Sequence, residues 1–565
     1  MATTYRNCPR TGLQFDTAAE KLMRWNAVVG VVFLLVGGIM ALFVILTRWP
    51  SVKLLPADQF YLVLTAHGVD MLLVWIIFFE MAVLYFCSST LLRCRLATPK
   101  WAWVQFWLML VGAAIGNYAV LAGESSVMFT SYAPMMASPL FYLGLILFAV
   151  GALIGCFVFL GTLVVAKNER TYEGSIPLVT FGALTACIIA IFTIASGAVI
   201  LIPTFLWSVG ILKEIDALMY RVIWWGMGHS SQQINVSAHV AIWYAIAAIA
   251  VGAKPLSEKV SRFAYFLYIL FLQLACAHHL LSDPGLGSSW KVLNTSYFMY
   301  FAVMASMIHG FTVPGAIEAA QRAKGYNNGL FEWLRKAPWG SPAFSGMFIS
   351  LVSFGFLGGI SGVVLGTEQL NMLMHNTFYV PGHFHATVVS GTTLAFMALT
   401  YFLVPVLFKR ELIAPKLCAL QPYVFGISMG VLSLVMMGAG TLGVSRRHWD
   451  MAFSGAPFQY EWPGAAYLMM GLTGIFGVIA VIGGAMFCLL IVGSLLWGKK
   501  LDEGKVTTER TPFPPNTVAA NVSGHGDAEH ASVPGTVVLA MLLLVSFVLY
   551  YFVNWKYLSE VWGLS

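Results

Sequence analysis

The chain has few charged residues for its length. Of its 565 residues, 10% are charged and 59% are hydrophobic, whereas a soluble protein carries about 25% charged residues. Its eight cysteines are scattered and form no Cys-x-x-Cys pair, which argues against a disulfide framework or a cysteine zinc site. No Cys-x-x-Cys-His segment for covalent haem attachment occurs either. These deficits exclude a soluble or disulfide-rich protein and indicate one that spans a membrane many times.

Long apolar stretches are what the chain has instead. A helix crosses a bilayer with about 20 apolar residues, and thirteen stretches are long enough. They predict an all-α, polytopic fold of about thirteen transmembrane helices in a single integral membrane domain, residues 1–565. The predicted spans are 25–47, 60–88, 101–122, 139–165, 177–201, 218–250, 263–281, 297–320, 344–366, 383–407, 419–442, 465–497 and 535–555.

The positions of Lys and Arg predict the orientation. With the amino terminus in the cytoplasm, most of the 31 Lys and Arg residues fall in inner segments, as the positive-inside rule requires. The net charge of +7 reflects these segments and does not indicate nucleic-acid binding. Residues 1–24 are a polar cytoplasmic segment without a cleavable signal, and 502–534 are a polar cytoplasmic loop in which His525 and His530 are expected to be exposed. We expect a bacterial inner-membrane protein.

Six histidines are predicted to lie at a similar depth in four spans. A lone intramembrane histidine often forms a hydrogen bond between helices, but ionisable residues in membranes are costly and usually functional. An adjacent pair and a His-x-His segment at one depth therefore point to a buried metal site, for which neutral imidazole is a suitable ligand. The six are His67 in the second span, His229 in the sixth, His278 and His279 ending the seventh, and His383 and His385 entering the tenth.

Helical geometry divides these histidines between sites. Residues i and i+2 of a helix point about 200° apart, so His383 and His385 face opposite sides. His278 and His279 lie about 100° apart and can reach one ion, and His229 would complete a three-nitrogen set. The remaining three histidines are left for haem: two make a six-coordinate haem and one makes a five-coordinate haem with an open face.

The motifs around these histidines strongly resemble subunit I of the haem–copper oxidase superfamily, and most of all its B-type branch. The resemblance covers essentially the whole chain. The matching segments are His67-Gly68, Gly228-His229, His278-His279, Asp283-Pro284-Gly285, His375-Asn376-Thr377, Pro381-Gly382-His383-Phe384-His385 and Ser445-Arg446-Arg447.

The resemblance implies a role for each matching residue. His67 and His385 look like the axial ligands of a low-spin haem, expected to be haem b, and His383 looks like the ligand of a high-spin haem of unknown type. The remaining positions resemble ligands of a facing copper (His229, His278 and His279) and groups that hold haem propionates (His375, Asn376, Arg446 and Arg447). An arginine fork suits a carboxylate, although a lipid-headgroup contact is the alternative for the arginine pair.

The chain lacks a tyrosine that the family's oxygen reductases carry at one of two positions. These usually carry a tyrosine four residues after the first copper-ligand histidine, where this chain has Gln233, or six residues before the histidine pair, where it has Leu272. The tyrosine supplies an electron and a proton when the O–O bond breaks, and glutamine cannot be oxidised in that role. Members that reduce NO lack this tyrosine. We therefore favour NO reduction, with O2 reduction by a cytochrome c oxidase, with or without proton pumping, as the alternative.

Two further points concern the metal site. The better-known NO reductases carry non-haem iron with a glutamate ligand, and no glutamate lies near the three metal histidines in sequence, so copper is favoured over non-haem iron. His309 lies in the middle of the eighth span, where the B-type branch has a proton route. It could ligate, shuttle protons, replace the tyrosine as a hydrogen-bonding group or simply pack between helices.

Protons must reach the site from one side of the membrane. Hydroxyl and imidazole side chains carry protons through water chains, although Ser and Thr also bond their own helix backbone. The predicted inward-opening path comprises Ser237, Tyr244, Ser306, His309 and Thr312, with Glu318 at its inner entrance.

Two other classes of protein compete with a gas reductase. A transporter should show repeated halves with broken helices near the midplane, and none is evident. A haem-bearing electron carrier or sensor would not need a separate copper site. Electrons must come from outside the chain, so the resemblance implies a second subunit with a cupredoxin-type copper domain and cytochrome c or a small copper protein as donor. A quinol donor is an alternative.

Overall fold

Twelve helices of the computed structural model are long and apolar enough to cross a membrane. The structure describes residues 3–458, 460–528 and 532–561, so His530 lies outside the described residues. The twelve helices are Thr17–Arg48, Ala57–Thr90, Pro99–Leu121, Pro139–Asn168, Leu178–Ser208, Ala217–Val251, Ser288–Ala323, Pro342–Gly366, Tyr379–Phe408, Pro415–Thr441, Gly464–Trp497 and Pro534–Val561. They correspond to every predicted span except the seventh, and we keep the ordinal numbers of the predicted spans.

The seventh span is divided into short pieces. An α-helix, Glu258–Leu267, continues as a π-helix, Tyr268–Leu272, and ends as a 3₁₀-helix, Ala275–Leu280. The two histidines of this span lie in the last piece, where three residues complete a turn. Adjacent side chains are therefore about 120° apart, not the 100° expected of an α-helix.

The first helix begins at Thr17, eight residues before the predicted start of the first span. The Asp16 side chain accepts a hydrogen bond from the amide of Ala19, which caps the helix. The residues before it form two strands, Tyr5–Asn7 and Gln14–Asp16, and Val506–Thr507 of the polar loop pairs with the first of them. The amino terminus and the loop before the last span thus fold into one small antiparallel sheet.

Three short helices lie in the connections: Glu332–Arg335, Glu368–Met374 and Val518–Ser523. Within the tenth span, an α-helical turn, Tyr379–Phe384, passes into a π-helix, His385–Thr393, before Leu394–Leu403 continues it. A π-helical turn inside an α-helix is rare and is frequent at functional sites. It begins here at one of the predicted haem ligands.

The sixth and tenth spans lie at the centre of the bundle. Of their most apolar 18-residue windows, 89% and 83% are buried, against 6% in the last span, which lies at the periphery. Elsewhere the helices approach closely through glycine: a Cβ on Gly112 of the third span would lie 2.6 Å from the carbonyl oxygen of Gly144 in the fourth. The two central spans carry three of the six predicted haem and metal histidines, His229, His383 and His385.

Candidate haem and metal site

One cavity brings the predicted site residues together. It has a volume of about 470 Å³ and lies among the central spans. The residues that line it include all six predicted haem and metal histidines, as well as Gln233, His375, Asn376, Arg446 and Arg447. Residues separated by more than 300 positions in sequence, such as His67 and His385, therefore share one cavity, as the motifs predict.

Three histidines form a potential metal site on one side of this cavity. One ligand atom from each of His229, His278 and His279 lies within 4.8 Å of the others. Nδ1 of His229 is 3.1 Å from Nε2 of His279, and Nδ1 of His278 has no hydrogen-bond partner among the described residues. Trp225 stacks on His279 with ring centroids 3.7 Å apart, which fixes that ring. Imidazoles gathered in this way suit a copper ion.

The two predicted low-spin haem ligands are oriented by backbone carbonyls. Nδ1 of His67 lies 3.0 Å from the carbonyl oxygen of Gly37, and Nδ1 of His385 lies 2.7 Å from that of Pro381. A carbonyl oxygen only accepts, so each Nδ1 carries the hydrogen and each Nε2 keeps its lone pair. Metal-ligating histidines usually donate their other N–H in this way, and both residues therefore fit a haem iron.

The predicted high-spin haem ligand is oriented by a side chain instead. Nδ1 of His383 is 2.9 Å from Oγ of Ser361, and that hydroxyl also lies 3.0 Å from the carbonyl oxygen of Gly358. The ring passes close to the ninth span, where a Cβ on Gly362 would lie 3.1 Å from Cε1 of His383. Ser361 was not predicted, because nothing in sequence links it to a histidine 22 positions later.

Gln233 contacts the metal histidines directly. Its Nε2 lies 3.1 Å from Nε2 of His229, one helical turn before it in the sixth span. Among the described residues that line the cavity, Tyr132 is the one tyrosine. Its ring lies 5.2 Å from the guanidinium of Arg447 and belongs to the arginine side of the cavity. The position next to the metal histidines is thus an amide, as the sequence predicts.

The end of the cavity that is predicted to face outward is rich in cations. Arg446 lies over the ring of Phe384 at 5.7 Å, and its amide donates to the carbonyl of Asn376. Burial lowers the pKa of Arg446 to about 9, and the neighbouring Arg447 adds to this lowering. A buried guanidinium of this kind favours an anionic partner, and the propionate of a bound haem would supply one.

Two further arginines line this end and were not predicted. Arg221 pairs with Asp283 at 2.8 Å, and Asp283 also lies 3.7 Å from Nε2 of His375. Arg48, at the end of the first span, donates to the carbonyl of Ser445. Both could have been predicted from the sequence, because each is a cation on the predicted outer side, as Arg446 and Arg447 are.

The predicted proton-path residues fall into two groups. Tyr244 and His309 lie together, with the phenol oxygen 3.0 Å from Nδ1 of His309, and the phenol also donates to Ser261. The other three do not join this contact: Ser306 bonds the Tyr268 hydroxyl, Thr312 donates to its own helix at the carbonyl of Ile308, and Ser237 has no partner among the described residues. The predicted path remains a prediction.

Glu318, which is predicted to lie at the inner side, has several hydrogen-bond partners. Its carboxylate accepts from Nε of Arg322 at 2.7 Å and from the amides of Gly535 and Thr536 at 3.0 and 2.6 Å. The Thr536 hydroxyl donates to it as well. A carboxylate at a helix N-terminus stabilises that helix, so these contacts anchor the last span. Its predicted role as proton entrance is not tested by them.

Two acids inside the second span differ in their contacts. Asp70 accepts a hydrogen bond from Nδ2 of Asn117 at 2.8 Å. Glu80 is buried with one oxygen that has no partner among the described residues. It lines a second, smaller cavity of about 100 Å³, which is mostly apolar.

Known proteins match this chain over most of its length. Residues 21–486 match the family described as Cytochrome C and Quinol oxidase polypeptide I. Cytochrome c oxidase subunit 1 of Thermus thermophilus is 30% identical over 505 residues, covering 87% of this chain and 86% of that protein. Its counterpart in Bacillus subtilis is 23% identical over 450 residues, covering 76% and 68%.

A solved structure matches the fold. A heme-copper terminal oxidase, studied as a dimer by cryo-electron microscopy, superposes with a TM-score of 0.81 at 25% identity, covering 94% of this chain and 92% of that one. The family match, the relatives and the gathered histidines agree with one another. The chain belongs to the haem–copper oxidase superfamily as a subunit I.

Proposed function

We propose that this chain is the catalytic subunit of a respiratory membrane enzyme that reduces a small gas, and that the gas is NO. Bound haem and copper would supply the electrons at the reacting centre. His383 would hold the high-spin haem, the set of His229, His278 and His279 would hold copper, and His67 and His385 would hold the low-spin haem b. The chain itself orients these imidazoles through Gly37, Pro381 and Ser361 as described above.

We choose NO as the gas because Gln233 places an amide, not a phenol, beside the metal histidines. Reduction of O2 to water consumes four electrons and four protons, whereas 2 NO + 2 e⁻ + 2 H⁺ gives N2O + H2O. A phenol beside the metal can supply an electron and a proton for O–O cleavage, and an amide cannot. Gln233 occupies the place where that phenol is expected, 3.1 Å from His229, and the smaller electron demand of NO reduction suits a site without it.

Oxygen is the second candidate, and the comparisons favour it over NO. The relatives in Thermus thermophilus and Bacillus subtilis are both named cytochrome c oxidases, and the matching structure is of a terminal oxidase. None of these names points to NO. They support a reaction at the same haem–copper centre, in which another group would have to replace the phenol.

Turnover of the purified complex with each gas, using one electron donor, tests the substrate. We expect N2O from NO, with slow O2 consumption. Fast reduction of O2 to water with negligible N2O would overturn NO and establish the second candidate. Gln233→Leu serves as the matched variant, because it removes the amide and keeps a similar volume. If the amide is only a packing group, the ratio of the two gas activities stays unchanged in this variant.

Copper is proposed as the second metal because of the composition of the cluster. Among the described residues, the potential metal site consists of histidines alone, whereas non-haem iron sites commonly add a carboxylate. Metal analysis together with a pyridine haemochrome spectrum tests this proposal. We expect two haems and one copper per chain beyond the copper that a partner subunit holds, and one extra iron in place of this copper would contradict the proposal.

The remaining parts of the proposal concern how electrons and protons reach the site. Electrons would arrive from cytochrome c or a small copper protein through a second subunit with a cupredoxin-type copper domain. Protons would enter from the cytoplasm of a bacterial cell through the path of Ser237, Tyr244, Ser306, His309 and Thr312, with the amino terminus also in the cytoplasm. The contact of Tyr244 with both Ser261 and His309 supports the inner part of this path.

A further inference from the structure

His239 is a buried histidine that neither the haems nor the metal set uses. It lies in the sixth span, roughly three helical turns after His229, and its side chain is fully buried. Its ring packs against Trp243 and Phe354, with centroids 4.5 and 4.7 Å apart. Nδ1 lies 2.9 Å from Oγ1 of Thr392, and Nε2 has no hydrogen-bond partner among the described residues.

Thr392 connects this histidine with the haem and metal cavity. It lines the cavity and belongs to the π-helical segment of the tenth span, the span that also carries His383. Val236, one helical turn before His239, lines the cavity as well, whereas His239 does not. The imidazole therefore lies immediately behind the cavity wall, and the Thr392 hydroxyl is its contact with that wall.

The other neighbour of His239 is the inner part of the proposed proton path. The sixth and eighth spans pack against each other, and Tyr244, five residues after His239 on the sixth, contacts His309 on the eighth. Nε2 of His309, like Nε2 of His239, has no partner among the described residues, although its Nδ1 contacts Tyr244. Two imidazoles on adjacent spans thus each present one nitrogen without a protein partner.

Buried polar atoms nearly always have a hydrogen-bond partner, and where protein supplies none, ordered water usually does. Nε2 of His239 and Nε2 of His309 are two buried atoms without a protein partner among the described residues, and they lie on spans that pack against each other. We therefore expect ordered water at these two nitrogens.

We propose that His239 and Thr392 form the last section of the proton path, joining the Tyr244–His309 pair to the haem and metal cavity through water. This inference rests on the proposed function, because it extends the proton path given there. His239 would accept a proton at Nε2 from water bonded to His309 and release one from Nδ1 to the Thr392 hydroxyl. Thr392 would pass its own proton into the cavity, and the return of His239 to its first tautomer leaves no net change in the protein.

Proton uptake by the purified holoenzyme tests this section without any gas. The oxidised complex is reduced anaerobically, and a pH-indicator dye follows the uptake of protons that accompanies reduction of the buried centre. His239→Phe keeps an aromatic ring, His239→Asn keeps a hydrogen-bonding group for Thr392, and Thr392→Val keeps the shape of threonine. A positioned proton-transfer group contributes about 10²–10⁴-fold, so we expect all three to slow uptake by about 10²-fold, with haem and copper content and reduction of the low-spin haem unchanged.

Thr400→Val is the matched control. Thr400 lies in the same span and is buried, but its hydroxyl donates to the carbonyl of Phe396 in its own helix. We expect its uptake to equal that of the unmodified complex. Normal uptake in His239→Asn would show that the imidazole only holds Thr392 in place, and normal uptake in Thr392→Val would show that protons leave by another route. Either result overturns the proposal.

Tyr244→Phe separates this inference from the path it extends. If Tyr244→Phe slows uptake and the His239 variants do not, the inner path is correct and its last section is wrong. If Tyr244→Phe also has no effect, the proposed path itself fails. A cryo-electron microscopy map of the complex at a resolution that shows water gives a second measurement: ordered water against Nε2 of both His239 and His309 is expected, and a protein side chain on either nitrogen contradicts the proposal.

Discussion

The histidines predicted to lie in the outer half of this protein and those predicted to lie in its inner half differ in how they use their two ring nitrogens. In the outer half, Nδ1 of His67 and His385 is bonded to a backbone carbonyl, and their other nitrogen is left for iron. In the inner half, His239 and His309 each bond a hydroxyl group through Nδ1, while Nε2 has no partner among the described residues. A carbonyl fixes one tautomer because it only accepts, whereas a hydroxyl both donates and accepts. The outer arrangement suits metal ligands, and the inner one suits groups that exchange protons.

The largest effect is expected from removing an outer histidine. His279→Ala takes one of three nitrogens from the potential metal site, and loss of a unit of the reacting centre typically costs at least about 10³-fold in turnover. Metal analysis should show one copper fewer per chain than in the unmodified complex, with the low-spin haem retained. His525→Ala is the control, since that histidine is exposed in the loop before the last span. Full copper content in His279→Ala would show that His279 is not a copper ligand.

An inner histidine should behave differently when it is replaced. His309→Asn removes the imidazole that contacts Tyr244, and we expect turnover to fall by about 10²-fold while copper and haem content stay unchanged. Tyr401→Phe provides the control. Tyr401 lies in the tenth span, and its buried phenol donates a hydrogen bond to Gln421. If His309→Asn loses metal, His309 is a ligand, and the division between outer and inner histidines is incorrect.

The outer histidines could be predicted from sequence because each occurs in a short motif. His278-His279 and Pro381-Gly382-His383-Phe384-His385 place ligands by local spacing alone, and membrane length fixes their depth. Ser361 and Thr392 could not be predicted, because each acquires its role from contact with a distant span. His239 occurs in no motif, and a lone buried histidine is uninformative until its orphan nitrogen and its partner are known. The π- and 3₁₀-helical segments that place Thr392 and the histidine pair are also invisible in hydropathy.

The high-spin ligand lies between the two classes, since its Nδ1 is bonded to the hydroxyl of Ser361. Ser361→Ala leaves that nitrogen without its partner, and removal of such supporting groups typically costs about 10–100-fold in activity. We expect an effect near the lower limit, with both haems bound and a shift in the reduction potential of the high-spin haem. Ser433→Ala is the control, because that buried hydroxyl bonds only its own helix. An unchanged reduction potential would show that His383 does not depend on the hydroxyl of Ser361.

The smallest effect on turnover is expected at Glu318, which tests whether an inner polar group is structural. Its carboxylate holds Arg322 and the beginning of the last span through Gly535 and Thr536. Glu318→Gln keeps the shape but removes the charge, and hydrogen bonds to charged groups contribute about 1.5–3 kcal/mol. The melting temperature should therefore fall, whereas turnover changes by less than about twofold because the charge anchors a peripheral helix. Glu509→Gln, an exposed carboxylate of the loop before the last span, should change neither quantity. If turnover instead falls strongly at an unchanged melting temperature, Glu318 is the proton entrance that the sequence predicts, and the inner half contains a titrating carboxylate as well as its two imidazoles.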